Sequence, residues 1–335
     1  MKKTYLLNKT GQDLSKTTFL DSRFRGNDSN LSPIVIPAKA GIQEPHRYLL
    51  KRYKKTSFSL FAIVLLILLM SGCMRLALHA TSPLIPDLTK AFFEECDLAL
   101  AEQSLPAELK LMEGLLKSAP QNKELLTALC MGFTGYAMLF VEEEDPERAS
   151  RLYLRARRYG LKVMGIEEDA TSQAILNHLN AMDKEQIEPL FWVTMSWNGW
   201  INLNLDKPAA LGELTVSQEC LERVMKIDPE YFYGSPYIIS GSMSAARPKI
   251  LGGDAAKAKE FFTKAMAASN GKFFLAQYYY AKYYAVRVQD RELFLNLIEE
   301  VEQAPLDQLK EACLINSAIK EKMKGLKEMA DELFF

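Results

Sequence analysis

The chain is poor in the residues that carry out chemistry. Of its 335 residues only 3 are histidine, and the two beyond residue 72, His79 and His178, are far apart and belong to no ligand-spaced set, which sets zinc aside. Its 5 cysteines form no C-x-x-C pair. There is no G-x-S-x-G, no H-E-x-x-H, no P-loop and no G-x-G-x-x-G opening a helix after a strand. LGGD at 251–254 is glycine-rich but reads as a turn and cap. These absences argue for a protein that is not an enzyme and uses no metal and no cofactor. Strand-type alternation is nearly missing past residue 86, which leaves an all-α fold.

What the front of the chain does have is one apolar run. Residues 58–70 are hydrophobic apart from Ser59 and follow Lys51, Arg52, Lys54 and Lys55. A basic region, an apolar stretch of this length and a small-residue stop are the parts of a secretory signal. The run is short for a transmembrane helix, which needs ~20 apolar residues. Its end, Leu69-Met70-Ser71-Gly72-Cys73, resembles a bacterial lipobox, so residues 51–72 are expected to be a lipoprotein signal peptide and Cys73 its lipidation site. Met74 in place of Asp inclines sorting toward the outer membrane. Residues 1–50 are polar and without hydrophobic period, and DSRFRGND (21–28) and VIPAKAGIQ (35–43) resemble translated intergenic repeats. This extension is expected to be non-native or disordered. Residues 73–86 read as a linker.

Residues 1–72 hold 12 basic and 4 acidic residues, leaving 29 against 38 and a net charge of −9 beyond them. That balance speaks against nucleic acid, where binding begins with phosphate neutralisation. Cys96, Cys130, Cys220 and Cys313 all fall in stretches read as helix. An exported compartment permits disulfides, but spacing cannot decide pairing, and buried small hydrophobes are the favoured role.

From 87 to 335 helical periodicity recurs with a stop every 35 to 45 residues. Ala107/Leu111/Leu115, Ala149/Tyr153/Ala156, Ser217/Leu221/Val224, Ala258/Phe262/Ala265 and Leu293/Leu297/Glu300 each share one helical face, and most of these stretches end at a proline. Small, large, small, then proline is the second-helix pattern of a tetratricopeptide repeat. Residues 122–140, 187–203, 232–246 and 272–286 supply first helices. Asp145-Pro146 and Asp254 mark helix starts, residues 165–187 an irregular insertion, and 306–333 a long amphipathic close. The expected architecture is an α-solenoid of cryptic TPR-like hairpins with a C-terminal capping helix.

Three stretches invite functional readings. FWVTMSWNGWINLNLD (191–206) holds Trp192, Trp197 and Trp200 and is apolar around most of its circumference, as a buried helix is. Part of it is a candidate cavity wall, with Asn198 and Asn202 as orienting groups and Gly199 permitting close packing. In 271–291, Tyr279 and Tyr283 share a face, either packed with satisfied hydroxyls or forming a groove wall or subunit interface. Arg151, Arg155, Arg158 and Lys162 form a stripe read as a solvated face.

LFVEEEDPERAS (139–150), LFWVTMSWNGWINLNLDKPAAL (190–211), IDPEYFYG (227–234) with LGGDAAKAKEFFTKA (251–265), and AKYYAVRVQDRELF (281–294) together resemble the TRAP transporter T-component (TatT) family, a group of TPR-type periplasmic lipoproteins. The likeness runs from about residue 88 to ADELF (330–334), with Ala255 standing where a proline is common. It implies a helical repeat domain tethered through lipid on Cys73, a partnership with the periplasmic solute-binding P-component, and a trimer with a hydrophobic channel through each subunit. The residues alone reach only a lipid-anchored helical repeat protein with an aromatic interior. For that, a TPR scaffold in envelope assembly with no small-molecule ligand is the alternative.

Overall fold

The computed structural model describes residues 84–335. The extension, the signal peptide, Cys73 and most of the linker lie outside the described residues. Among those described, every regular element is helical. The first helix, α1 (Leu84–Phe93), already occupies the end of the expected linker.

The order continues α2 (Leu98–Ser118) and α3 (Lys123–Tyr136), which runs on through a π turn, Ala137–Val141. Next come α4 (Pro146–Val163), α5 (Ser172–Leu179) and α6 (Ile187–Asn202). They are followed by α7 (Pro208–Gly212), α8 (Leu214–Ile227), α9 (Tyr231–Ala246) and α10 (Ala255–Ala268). The chain closes with α11 (Leu275–Tyr279), a second π turn (Tyr280–Ala285), α12 (Val286–Val288), α13 (Arg291–Gln303), α14 (Cys313–Glu328) and α15 (Ala330–Leu333).

Capping residues set many of these boundaries. The side chains of Asp97, Asn122, Asp145, Asp254 and Asp290 accept hydrogen bonds from first-turn amides that have no partner within the helix. Each such cap contributes about 1 kcal/mol. Neighbours in sequence then pack as pairs: α3 on α4, α6 on α8, α9 on α10, and the second π turn on α13, with α4 also against α6. The small residues expected at the contacts are there. Ala149 and Ala156, Ala258 and Ala265, and Ser217 are fully buried around Tyr153, Phe262 and Leu221.

Two helix faces differ from expectation. In α2 the buried side is Ala101, Leu105, Leu109 and Leu116, while Leu111 and Leu115 are exposed. This helix carries leucine on several sides, so more than one stripe fits the period. In α13 the buried side is Phe294, Leu297, Ile298 and Val301, and Glu300 is exposed. The expected long closing helix is also broken. Residues 306–312 form a 3-10 segment interrupted at Leu309, and Met329 separates α14 from α15.

The last helices turn back to the first. α14 packs against α1 and α2 as well as α11 and α13. Cys96, which lies in the turn before α2 and not in a helix, is disulfide-bonded to Cys313 at the start of α14, with Cα atoms 5.1 Å apart. That corrects the reading of both as buried hydrophobes. Cys130 and Cys220 do fill that role, fully buried and free, and burial pushes the Cys220 thiol up to about 12.

Lys123–Val141 is apolar and long enough to cross a membrane, but 78% of its most apolar window is buried inside the domain, which makes it a core helix. The arginine stripe of α4 is solvated except at Arg155. That guanidinium lies 4.6 Å from the centre of the Phe133 ring and pairs with Glu113, which also accepts from Tyr159 at 2.5 Å. Burial works to raise the Glu113 carboxyl, but hydrogen bonds from Lys110, Tyr159 and Arg155 outweigh it and hold the group at about 2.

Candidate functional site

The two π turns face one chamber. It encloses about 50 Å³, room for a few waters. A π turn adds a residue to the helical ladder and rotates the rest of the helix, and such turns recur at functional sites. Here the first brings Met138 and, at its end, Glu142 to the chamber. The second, with the end of α11, brings Tyr279 and Tyr283, whose rings stack at 5.5 Å with an interplanar angle of 7°. α6 contributes Asn198, Gly199 and Asn202, on one side of that helix; α9 contributes Ser235 and Ser242.

Tyr153 fixes the floor. A Cβ on Gly199 would stand 2.6 Å from the Tyr153 ring, so only glycine allows α6 to approach α4 here. The Tyr153 hydroxyl donates to the Glu142 carboxylate. Burial pushes the Glu142 carboxyl up, with the Tyr153 hydrogen bond and the charges of Lys282 and Lys322 pulling it down. Burial, then Glu142, holds the Tyr153 and Tyr279 phenols well above their ordinary range, so both keep their protons. The adjacent Glu143 takes the neighbouring cations: Lys322 at 3.0 Å, Lys282 at 3.7 Å, and a hydrogen bond from Tyr278 at 2.8 Å.

A second cavity, of about 70 Å³, adjoins the first. Phe93, Leu109, Met131, Trp192, Leu314 and the α3 glycines form an almost entirely apolar wall. Around Gly135 a Cβ would meet nothing within 4 Å, so the missing side chain leaves the space open. Met138 lines both cavities. Methionine is unbranched and rotates readily, which suits it to a movable divider.

The structure thus brings Asn198, Asn202, Tyr279 and Tyr283 to one chamber and places Trp192 on the other cavity. Trp192 belongs to an aromatic cluster with Phe93, Phe191 and Phe232. Phe232 enters it because residues 232–234 form a left-handed stretch, with φ of 47°, 61° and 78°. Only Gly234 adopts such values freely; Phe232 and Tyr233 cost about 1–2 kcal/mol each. Trp197 and Trp200 belong to neither cavity wall. They pack under the Arg157 guanidinium, 4.8 and 5.4 Å from its carbon, and Trp197 donates to Glu213 at 2.6 Å. The sequence reading missed Glu142 and Met138 as wall residues because nothing in the local pattern marks a π turn, and Tyr153 and the α9 serines because tertiary packing alone brings them there. Among the described residues, no group of three or more His, Cys, Asp or Glu side chains gathers as a metal site.

An open groove of about 910 Å³ shares Phe93 and Met131 with the apolar cavity and is bounded by α1, the start of α3, the end of α4 and the 232–233 turn. Lys90, Lys123, Lys162, Glu124, Glu185 and Glu188 give it a mixed charge. Burial raises the Glu188 carboxyl.

An uncharacterized protein of Treponema pallidum (strain Nichols) is 28% identical over 198 residues, covering 52% of this chain and 61% of that protein. The chain therefore spans less than two thirds of that relative's length. The family model described as TRAP transporter T-component matches residues 94–334, which takes in the chamber, the apolar cavity apart from its α1 residues, and nearly all of the helical domain. The chain belongs to the TRAP transporter T-component family.

Proposed function

We propose that the chain is a lipid-anchored periplasmic accessory component of a TRAP-type solute uptake system, which docks the solute-binding P-component and holds an apolar or amphipathic ligand among TPR-like hairpins. The observation that carries this reading is the pair of cavities that share Met138 in their walls, one almost entirely apolar and one that sets Glu142, Asn198 and Asn202 among apolar side chains. Family membership supports the transport role. The Cys96–Cys313 disulfide suits an exported location. The free thiols are buried and held protonated, which supports holding over catalysis.

The reading includes lipidation at Cys73, outer-membrane sorting and a trimer. Its test is co-purification of the full-length chain with a TRAP P-component from the same cell, followed by light scattering and native mass spectrometry. A complex, a trimeric mass and a co-purifying small molecule are expected. Metabolic palmitate labelling that survives Cys73→Ala would remove the anchor.

The mixed-charge groove favours a second reading, a scaffold for envelope-assembly proteins that binds no small molecule. It predicts capture of assembly proteins and an empty interior in the same mass measurement.

A further inference from the structure

Around the chamber, most hydroxyl protons of the wall are already committed. Thr134 donates its hydroxyl to the Cys130 carbonyl at 2.7 Å, Ser235 to Phe232 at 2.7 Å and Ser242 to Ile238 at 2.8 Å. Asn198 donates its amide to the Thr194 carbonyl at 2.9 Å, and Tyr153 donates to Glu142. These groups therefore turn lone pairs to the chamber. One is conspicuous: Asn198 Oδ1 is buried and has no partner, and the residue is only 4% exposed. An unpartnered buried acceptor costs about 1–3 kcal/mol, so it calls for an explanation in the form of a missing donor.

The charges nearby sharpen this. Lys282 and Lys322 are engaged with Glu143, whereas Glu142 receives only the Tyr153 hydroxyl among the described residues. The stacked Tyr279 and Tyr283 rings add π faces, which attract cations. Their hydroxyls and the amides of Asn198 and Asn202 remain as donors, but Glu142 is the wall's one carboxyl group, and a bound cation favours its ionised form where an anion opposes it.

We propose that this chamber takes the head of an amphipathic ligand bearing a primary ammonium group, and rejects the carboxylate of the same length. The three N–H donors of an ammonium match the acceptors of Glu142, Asn198 and the α9 serines. The tail then passes Met138 into the apolar cavity. This rests on the ligand-holding part of the proposed function and names the ligand class.

The test titrates the purified full-length chain by calorimetry at neutral pH with octylammonium, octan-1-ol and octanoate. Octylammonium should bind at least about tenfold more tightly than octanoate, with octan-1-ol between them. Glu142→Gln and Asn198→Leu should each lower octylammonium affinity about tenfold or more while moving octanoate little. Trp197→Phe, which touches neither cavity, should leave the order unchanged. Octanoate binding as tightly as octylammonium overturns the inference and leaves ligand holding intact, and so does indifference of octylammonium to both substitutions. No binding by any of the three probes overturns both. Association with the P-component is scored separately by co-purification and is untouched by either result.

Discussion

Glu213 accepts from two groups that also stack on each other, Arg157 and the indole N–H of Trp197. The arginine bridges α4, α6 and the start of α8 in one contact. A lysine there keeps the charge but not the plane that lies over two indoles. Arg157→Lys is expected to lower stability by about 1–2 kcal/mol in urea denaturation, with the octylammonium affinity unchanged. A loss of affinity would place the tryptophans in the binding wall after all.

Gly199 governs how closely α6 lies on α4. Gly199→Ala puts a methyl against the Tyr153 ring, and overpacking of this kind costs about 1–3 kcal/mol. Displacing the ring also pulls its hydroxyl from Glu142, so thermal stability and octylammonium affinity should fall together. An unaltered melting temperature would show that the helices separate freely.

Cys96 and Cys313 are 217 residues apart in sequence. Cross-linking so long a loop is worth about 2–5 kcal/mol. Reduction, or Cys96→Ser with Cys313→Ser, should lower the unfolding free energy by that amount in denaturant titration while leaving Cys130 and Cys220 unreactive toward thiol reagents until unfolding.

Glu113 is held at about 2 in the folded chain against an ordinary 4.5. A depressed carboxylate stabilises the folded state fully above pH 4.5, and that contribution is lost as pH falls toward 2. Its size is on the order of 2 kcal/mol once solvent screening is allowed for. The stability gap between the native chain and Glu113→Gln, measured by denaturation at pH 7 and pH 3, should narrow on acidification. A gap that stays constant would assign the effect to packing of Arg155 and Tyr159.

Many of the helices were legible because their signals are local. Asp145-Pro146 and Asp254 cap where the residue types say they should, and Ala149, Tyr153 and Ala156 point inward. Orientation failed where the pattern was degenerate. In α6, 12 of 16 residues are buried, so no periodicity says which side meets Arg157 and which meets the chamber. The chamber itself joins π turns more than 130 residues apart, and a π turn breaks the register that pattern reading depends on. The pairing of Cys96 with Cys313 is likewise a fact of tertiary structure, set when α14 returns to α1 and α2.

That disulfide has a mechanical meaning. Tension between residue 84 and residue 335 enters at Cys96 and leaves at Cys313, crossing two sulfur atoms. The helices between them, with the chamber, bear none of the load, whereas Phe93 and Leu314 of the apolar cavity lie outside that loop. A molecule tugged by its neighbours in this way keeps its chamber at rest.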